Sequence, residues 1–247
     1  MASLIIRQTH RPPEEMRPAH RGLSRTKRLM DILISFVALV LLLPVFAVIG
    51  IVIKLDSPGP VFYRQDRVGE NRRRGDRRRR AAAGGGAAPP ERRRSDRRED
   101  DQSGRIFYIV KFRSMRTDAE KGGPVWAAKN DPRVTRVGAL LRRTRLDELP
   151  QLWNILKGEM SLVGPRPERP YFVKRLQERF PGYRGRLQVP PGLTGLAQVE
   201  RAYDEDVEDV RRKLAYDLFY IEHRHFMVDL KIVLKTVGVV LARKGSR

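Results

Sequence analysis

Residues Ile32 to Ile53 read ILISFVALVLLLPVFAVIGIVI, 22 residues without a charged side chain. As a helix rising 1.5 Å per residue they reach roughly 33 Å, against a bilayer core of about 30 Å. The run is too long for a signal-peptide core, and no small-residue cleavage site follows it. It is therefore read as a membrane helix, the alternative being a buried helix of a soluble protein. Its basic flanks are balanced. Arg11, Arg17, Arg21, Arg25, Lys27 and Arg28 precede it, and Lys54, Arg64, Arg67, Arg72, Arg73 and Arg74 follow. Neither side is marked for translocation by an excess of lysine and arginine. Pro44 falls near the middle, where it removes one backbone hydrogen bond and kinks a helix. On these features alone, a spanning helix and a re-entrant one that leaves by the face it entered are both open.

Outward from this segment the chain is basic. Its 247 residues carry 51 lysines and arginines against 29 acids, a formal charge of +22 and a pI near 11.1. Such a balance points to a polyanionic partner: nucleic acid, anionic lipid or a phosphorylated substrate. Cysteine is absent, which excludes disulfide frameworks, cysteine nucleophiles and thiolate zinc sites. Four histidines, His10, His20, His223 and His225, leave little for a histidine metal site. The stretch Arg72 to Arg105 holds thirteen arginines and six acids around AAAGGGAAPP, with no apolar periodicity. That composition predicts a disordered insertion inside a domain, because strand character stops at Val68 and resumes at Ile106. It lacks the stacking aromatics of a nucleic-acid tract, so no nucleic-acid partner is expected.

The remaining pattern is α+β and mainly helical. Residues 1–24 read as a disordered basic N-terminus, 25–56 as the membrane segment, and 57–247 as one cytoplasmic domain interrupted at 71–105. Short strands are predicted at Val61–Val68 and Ile106–Met115. Helices are predicted at Val137–Arg143, Glu168–Phe180, Val207–His225 and Phe226–Ala242. Leu149, Leu152, Trp153 and Leu156 recur at helical spacing before Gly158, predicting an amphipathic helix whose apolar face contains all four. The last helix mixes aliphatics with Lys231 and Lys235, as an interfacial helix does, although a core helix reads the same way. Neither GxGxxG nor GxxxxGK[ST] occurs, so neither nucleotide-binding loop is supported.

The chemistry concentrates in Arg142-Arg143-Thr144-Arg145-Leu146-Asp147-Glu148-Leu149-Pro150-Gln151. Asp147 is placed to cap the following helix, with Pro150 in its first turn. The same carboxylate, flanked by arginines, can also serve as a nucleophile toward phosphorus or as a magnesium ligand. Gly164-Pro165-Arg166-Pro167 holds an arginine between two prolines, a rigid presentation suited to bidentate phosphate contact. Lys111 and Arg113 place two cations at a strand end.

Taken in order, KRLMDILISFVALVLLLPVF, SPGPVFYRQDRVG, YIVKFRSM, RRTRLDELPQLWNILKGEMSLVGPRP, PPGLTGLAQV and YDLFYIEHRHFMVDLKIVLKT resemble the bacterial sugar transferase family, the polyprenyl-phosphate hexose-1-phosphate transferases. The resemblance runs from about Lys27 to Leu241. It implies a monotopic membrane protein with one N-terminal re-entrant helix-break-helix, broken at Pro44, and a small catalytic domain with interfacial helices on the cytoplasmic face of the bacterial inner membrane. It implies transfer of a sugar 1-phosphate from a nucleotide diphosphate sugar, usually a UDP-sugar, to undecaprenyl phosphate. Asp147 would be the nucleophile and lie close to Mg²⁺, Glu148 would assist, and Lys111, Arg142 and Arg166 would bind phosphate. Anionic membrane lipids are further expected partners, and a homodimer is compatible with the reading. Two departures stand out. The arginine-rich tract intervenes where the family passes almost directly from one strand to the next, and no extra N-terminal spans precede the helix, as in the family's short form.

Overall fold

The structure, a computed structural model, describes residues 25–71, 104–120, 123, 131–200 and 207–242. The disorder expected for residues 1–24 and for most of the arginine-rich tract lies outside these. The described residues form α1 (Arg25–Asp56), β1 (Phe62–Val68), β2 (Ile106–Phe112), α2 (Arg136–Arg143), a first 3-10 helix (Leu146–Gln151), α3 (Leu152–Lys157), β3 (Ser161–Val163), α4 (Pro170–Arg179), a second 3-10 helix (Pro181–Gln188), β4 (Gly192–Thr194), α5 (Leu196–Glu200), α6 (Val207–His223) and α7 (Phe226–Leu241). The α+β, mainly helical expectation holds.

Helix α1 is apolar all round, yet only one stripe of it meets protein. Asp31, Ser35, Ile49 and Ile53 are buried, and Ala38, Leu39, Leu42 and Phe46 pack between them. These residues fall three or four apart, so they share one side of a 3.6-residue helix. The other sides expose a row of large apolar side chains from Leu29 to Leu55, including Leu41 at 71% and Leu55 at 82%. The helical assignment continues through Pro44, so the expected break is not a gap in secondary structure.

Both ends of α1 are tied to the same domain. At the start, the Arg28 guanidinium donates to the carbonyls of Ile155 (2.5 Å) and Leu156 (2.6 Å) in the last turn of α3. Lys27 pairs with Asp229 at 2.5 Å, and Asp31 Oδ1 accepts from the Leu162 amide. At the far end, the buried Arg113 donates to the carbonyls of Ile53, Ser57 and Pro58.

Strands β1 and β2 pair antiparallel, with Tyr63 opposite Lys111 and Val68 opposite Ile106. Beyond the last pair, the Gly69 amide donates to the Arg105 carbonyl and the Arg105 amide to the Glu70 carbonyl. The insertion therefore falls between the two strands of one hairpin, and its boundary needs correcting. Asn71 donates to the Leu187 carbonyl and Arg105 closes the hairpin, so both belong to the folded domain. The other edge of β2 is covered by one side chain. Asn154 accepts from the Val110 amide at 3.0 Å and donates to the Tyr108 carbonyl at 2.7 Å, taking the place of a third strand.

Asn154 also corrects the predicted apolar face. It is fully buried, whereas Trp153 is 53% exposed. The mismatch arises because only Leu152–Lys157 is α-helical, the preceding six residues forming a tighter 3-10 turn. Pro150 has no N–H to donate to an i−4 carbonyl, and the α ladder begins only after it, at Leu152. Gly158 ends α3 in the left-handed region, as expected. Periodicity did not foresee the parallel pair β3–β4, in which Ser161 meets Gly192 and Val163 meets Thr194. Val163, Leu187, Leu196, Leu214, Leu218 and Ile232 lie in the main core, joining this pair to the second 3-10 helix and to α5, α6 and α7.

Replacing residues 72–103 by a short Gly-Ser linker is expected to leave the domain folded. Closing a loop about four times shorter favours folding by about 1 kcal/mol. The unfolding midpoint in detergent should therefore hold or rise by a few degrees. A fall would mean that the tract packs on the domain. Binding to anionic liposomes should weaken, by less as salt rises.

Candidate active site

Four elements deliver charged side chains to one pocket. Lys111 comes from the end of β2, Arg142 from the last turn of α2, Asp147 and Glu148 from the first 3-10 helix, and Arg166 from the loop after β3. The 3-10 helix is preceded by Arg145 in the left-handed region (φ 60°, ψ 12°), the one described non-glycine residue with positive φ. That turn directs the chain sharply from α2 into the dyad. Asp147 therefore lies inside the 3-10 turn and does not cap α3, contrary to the capping expectation.

The two carboxylates are equally buried, each 8% exposed, but not equally partnered. Glu148 Oε1 accepts from Lys111 Nζ at 2.9 Å and from Arg166 Nη2 at 2.5 Å, and its Oε2 accepts from Arg166 Nη1 at 3.3 Å. Burial alone would raise its pKa, but Arg166 and Lys111 outweigh it and hold Glu148 well below the usual carboxylate range. Among the described residues, Asp147 makes no ion pair within 4 Å. Burial, and then the neighbouring Glu148 charge, push its pKa up to about 6, against the longer-range pull of Lys111, Arg166 and Arg142. Lys111 is itself lowered by burial, and Arg166 is raised by Glu148. Three cations thus face two carboxylates, leaving a net positive pocket suited to a phosphate.

Arg166 is aimed by its backbone. The Gly164 amide donates to the Thr194 carbonyl and the Gly192 amide to the Pro165 carbonyl. The Arg166 carbonyl accepts from Arg186 Nη2 at 2.9 Å, that of Pro167 from Arg67 Nη1 at 2.9 Å, and that of Glu168 from the Val68 amide at 2.9 Å. Pro165 and Pro167 have no N–H to satisfy. The loop can pass so close to β4 only because Gly164, Gly192 and Gly195 carry no Cβ. A Cβ on Gly195 would stand 2.2 Å from the Gly164 carbonyl oxygen, and one on Gly192 2.1 Å from the Gly164 nitrogen.

The structure brings Lys111, Arg142, Asp147, Glu148 and Arg166 together, while Pro44 lies apart from them in the apolar helix α1. Sequence reading missed the charged layer behind them. Glu168 pairs with Lys213 at 3.1 Å and lies 3.9 Å from Arg67; Lys213, Arg186 and Arg67 together hold its pKa near 2 against the effect of burial. Arg186 pairs with Asp217 at 2.7 Å. Glu168 directly follows GPRP and could have been suspected from it, whereas Arg186 sits in a turn with no local signal. Among the described residues, no three His, Asp or Glu side chains gather as a metal cage.

The sequence profile of bacterial sugar transferases matches residues 23–76 and 95–243. Among individual relatives, the chain is 39% identical to an Aeromonas hydrophila UDP-N-acetylgalactosamine-undecaprenyl-phosphate N-acetylgalactosaminephosphotransferase over 221 residues, 90% of this chain and 45% of that protein. It is 36% identical over 223 residues to a Xanthomonas campestris pv. campestris UDP-glucose:undecaprenyl-phosphate glucose-1-phosphate transferase, 89% of this chain and 40% of that one. It is 37% identical to the Rhizobium leguminosarum bv. phaseoli exopolysaccharide production protein PSS, covering 88% of this chain and 96% of that protein. The chain thus spans less than half of the first two relatives and nearly all of the third.

The asymmetry of the dyad is measurable without any substrate. Carboxyl-carbon NMR of the labelled protein should show Asp147 titrating near pH 6. Glu148→Gln removes the like charge and releases Lys111 and Arg166, so the Asp147 midpoint should fall. Lys111→Met should raise it. A midpoint unmoved by both changes would mean that the two groups do not share one electrostatic site.

Proposed function

The chain belongs to the bacterial sugar transferase family, and from that premise we propose that it moves a sugar 1-phosphate from a UDP-sugar onto undecaprenyl phosphate through a covalent aspartyl-phosphosugar intermediate. The observation that carries this reading is the division of the dyad. Glu148 is neutralised by Lys111 and Arg166, while Asp147 has no ion partner among the described residues, in surroundings that strip it of water. An anion in that state is a better nucleophile than a paired one.

In the first step an Asp147 oxygen attacks the phosphorus that bears the sugar. The bond from that phosphorus to the bridging oxygen breaks, and UMP leaves with the electron pair. In the second step a phosphate oxygen of undecaprenyl phosphate attacks the same phosphorus. The acyl-phosphate bond breaks, and the Asp147 carboxylate returns. Lys111, Arg142 and Arg166 offset charge on the transferring group, and Glu148 keeps the first and third of these cations in place. Two steps let one pocket meet a soluble donor and a lipid acceptor in turn.

The donor set fits a magnesium ion bound through one carboxylate and substrate phosphates, the habit of that ion, with Asp147 the residue to hold it. When bound, the ion would neutralise diphosphate charge and ease departure of UMP. The relatives' names cover N-acetylgalactosamine and glucose, so a UDP-sugar panel is needed to identify the sugar.

We further propose that α1 is re-entrant and lies with α7 at the cytoplasmic face of the inner membrane. Its exposed apolar sides exceed what a soluble surface carries. Arg28 and Ser57, separated by about 40 Å of helix, are both held by one domain. A straight span would carry one of those ends across the bilayer and away from its partner. On α7, Phe226, Met227, Leu230, Val233, Leu234 and Val237 are exposed. These positions repeat at helical spacing, as on a helix lying in an interface.

Two outcomes are expected. Asp147→Asn should lose both UMP release and the mass increment of one phosphosugar after UDP-sugar addition, read by intact-protein mass spectrometry. A normal adduct in this variant would place the nucleophile elsewhere. In the naturally cysteine-free chain, Gln8→Cys and Asp118→Cys should both react with an impermeant thiol reagent only from the cytoplasmic side. Periplasmic labelling of either would establish a span.

A further inference from the structure

The pocket's phosphate-binding arginine depends on a second, buried arginine that never reaches the pocket. Arg186 is 5% exposed, and all three of its guanidinium nitrogens are engaged. Nε donates to Asp217 Oδ2 on α6 at 2.7 Å, Nη1 to the Tyr183 hydroxyl at 2.5 Å, and Nη2 to the Arg166 carbonyl at 2.9 Å. The Asp217 carboxylate is fixed on a core helix beside Leu214 and Leu218, among the most buried residues of the protein. Arg186 is thus a rigid strut from the centre of the domain to the backbone of the one residue that binds Glu148 through two nitrogens.

We infer that Arg186 is a positioning residue, setting the direction of the Arg166 guanidinium and, through it, the seating of the Arg166–Glu148 ion pair. The inference rests on the transferase reading for its kinetic form and on geometry alone for the rest. Of the five backbone partners of the Gly164–Glu168 loop, two come from side chains, Arg67 and Arg186. Arg67 holds the carbonyl of Pro167, and Arg186 that of Arg166 itself. Without the Arg186 bond, the Arg166 carbonyl becomes a buried acceptor lacking its donor, and the loop rotates to find water. The prolines on either side transmit that rotation to the guanidinium, because their fixed φ leaves few other torsions to absorb it. Glu148 then loses part of its ion pair. A phosphate bound at the same arginine loses alignment, and a displacement of the order of 1 Å costs about 100-fold in rate.

A purely structural arginine makes a different forecast. Its loss lowers the folded fraction and scales activity down, with KM unchanged. The experiment therefore uses Arg186→Met and Arg186→Lys in the full chain in detergent, with activity expressed per folded protein. Tyr183→Phe is the packing control, since it removes one Arg186 contact and leaves the Arg166 bond. Arg186→Met should lose about 100-fold in kcat/KM for the UDP-sugar. The loss should include a rise in KM, because a misdirected Arg166 holds the diphosphate less well. Arg186→Lys, which keeps the charge but can reach fewer partners, should fall between wild type and Arg186→Met. Tyr183→Phe should keep the wild-type KM.

If Arg186→Met does not fold, Arg186→Lys decides by the same KM. A wild-type KM in whichever variant folds would overturn the inference. Calorimetric binding of UDP, which needs neither acceptor nor turnover, separates the two readings. If the wild type binds UDP but releases no UMP with any UDP-sugar, the transferase reading fails. The positioning is then judged by whether Arg186→Lys weakens UDP while Tyr183→Phe does not.

Discussion

Two adjacent carboxylates in a nearly dry pocket repel each other and resist ionising, and the architecture around them answers that constraint. Glu148 is neutralised by Lys111 and Arg166, which arrive from opposite directions: the end of β2 and the loop after β3. Holding these cations on one carboxylate fixes the hairpin, the 3-10 turn and the Gly164–Glu168 loop against one another. The pairing is costly to break, because removing one partner strands a buried charge. It also leaves Asp147 as the carboxylate whose state can change. The division of labour within the dyad thus follows from which of two neighbours the cations reach.

The pocket is stiff because its supports are covalent, steric and electrostatic at once. The first 3-10 helix is forced by Pro150 and entered through the left-handed turn at Arg145. The loop bearing Arg166 is bounded by prolines, seated on β4 through glycines that touch, and held from behind by Arg67 and Arg186. Preorganisation of this kind lowers the reorganisation needed when charge moves in a phosphoryl transfer. Helix α1 joins the same framework. Arg113, two residues beyond Lys111, holds the carbonyls at the end of α1, and Arg28 holds the end of α3, the helix that follows the dyad. The apolar helix is thus tied to the elements on both sides of the dyad.

Much of this was legible in the amino-acid sequence, for identifiable reasons. The apolar run, the two strands, the helix before the dyad and the last two helices were found within a few residues, because hydrophobic periodicity reports local burial. The LDELPQ and GPRP motifs carried Asp147, Glu148 and Arg166, three of the five charged residues that the structure brings together. The errors are equally physical. Trp153 was placed on the buried face and Asn154 was not, because a helical wheel assumes one continuous α-helix and Pro150 prevents it. Asn154 is buried for its hydrogen bonds to the edge of β2, a demand made by a strand more than forty residues earlier. The arginine-rich tract was drawn a residue or two too wide, because Asn71 and Arg105 look like their neighbours but close a hairpin.

By itself the sequence determined what each segment could do: which stretch leaves water, which loops are rigid, where the charges concentrate, and that no cysteine chemistry is available. These are properties of local composition and spacing, and they survive without coordinates. Tertiary structure alone decided the partnerships. It gave Lys111 and Arg166 to Glu148 and left Asp147 without an ion pair among the described residues, set Arg186 behind Arg166, and joined both ends of α1 to one domain. Those choices depend on contacts between residues 18 to more than 100 positions apart. Electrostatic coupling follows distance in space, on which spacing along the chain is silent.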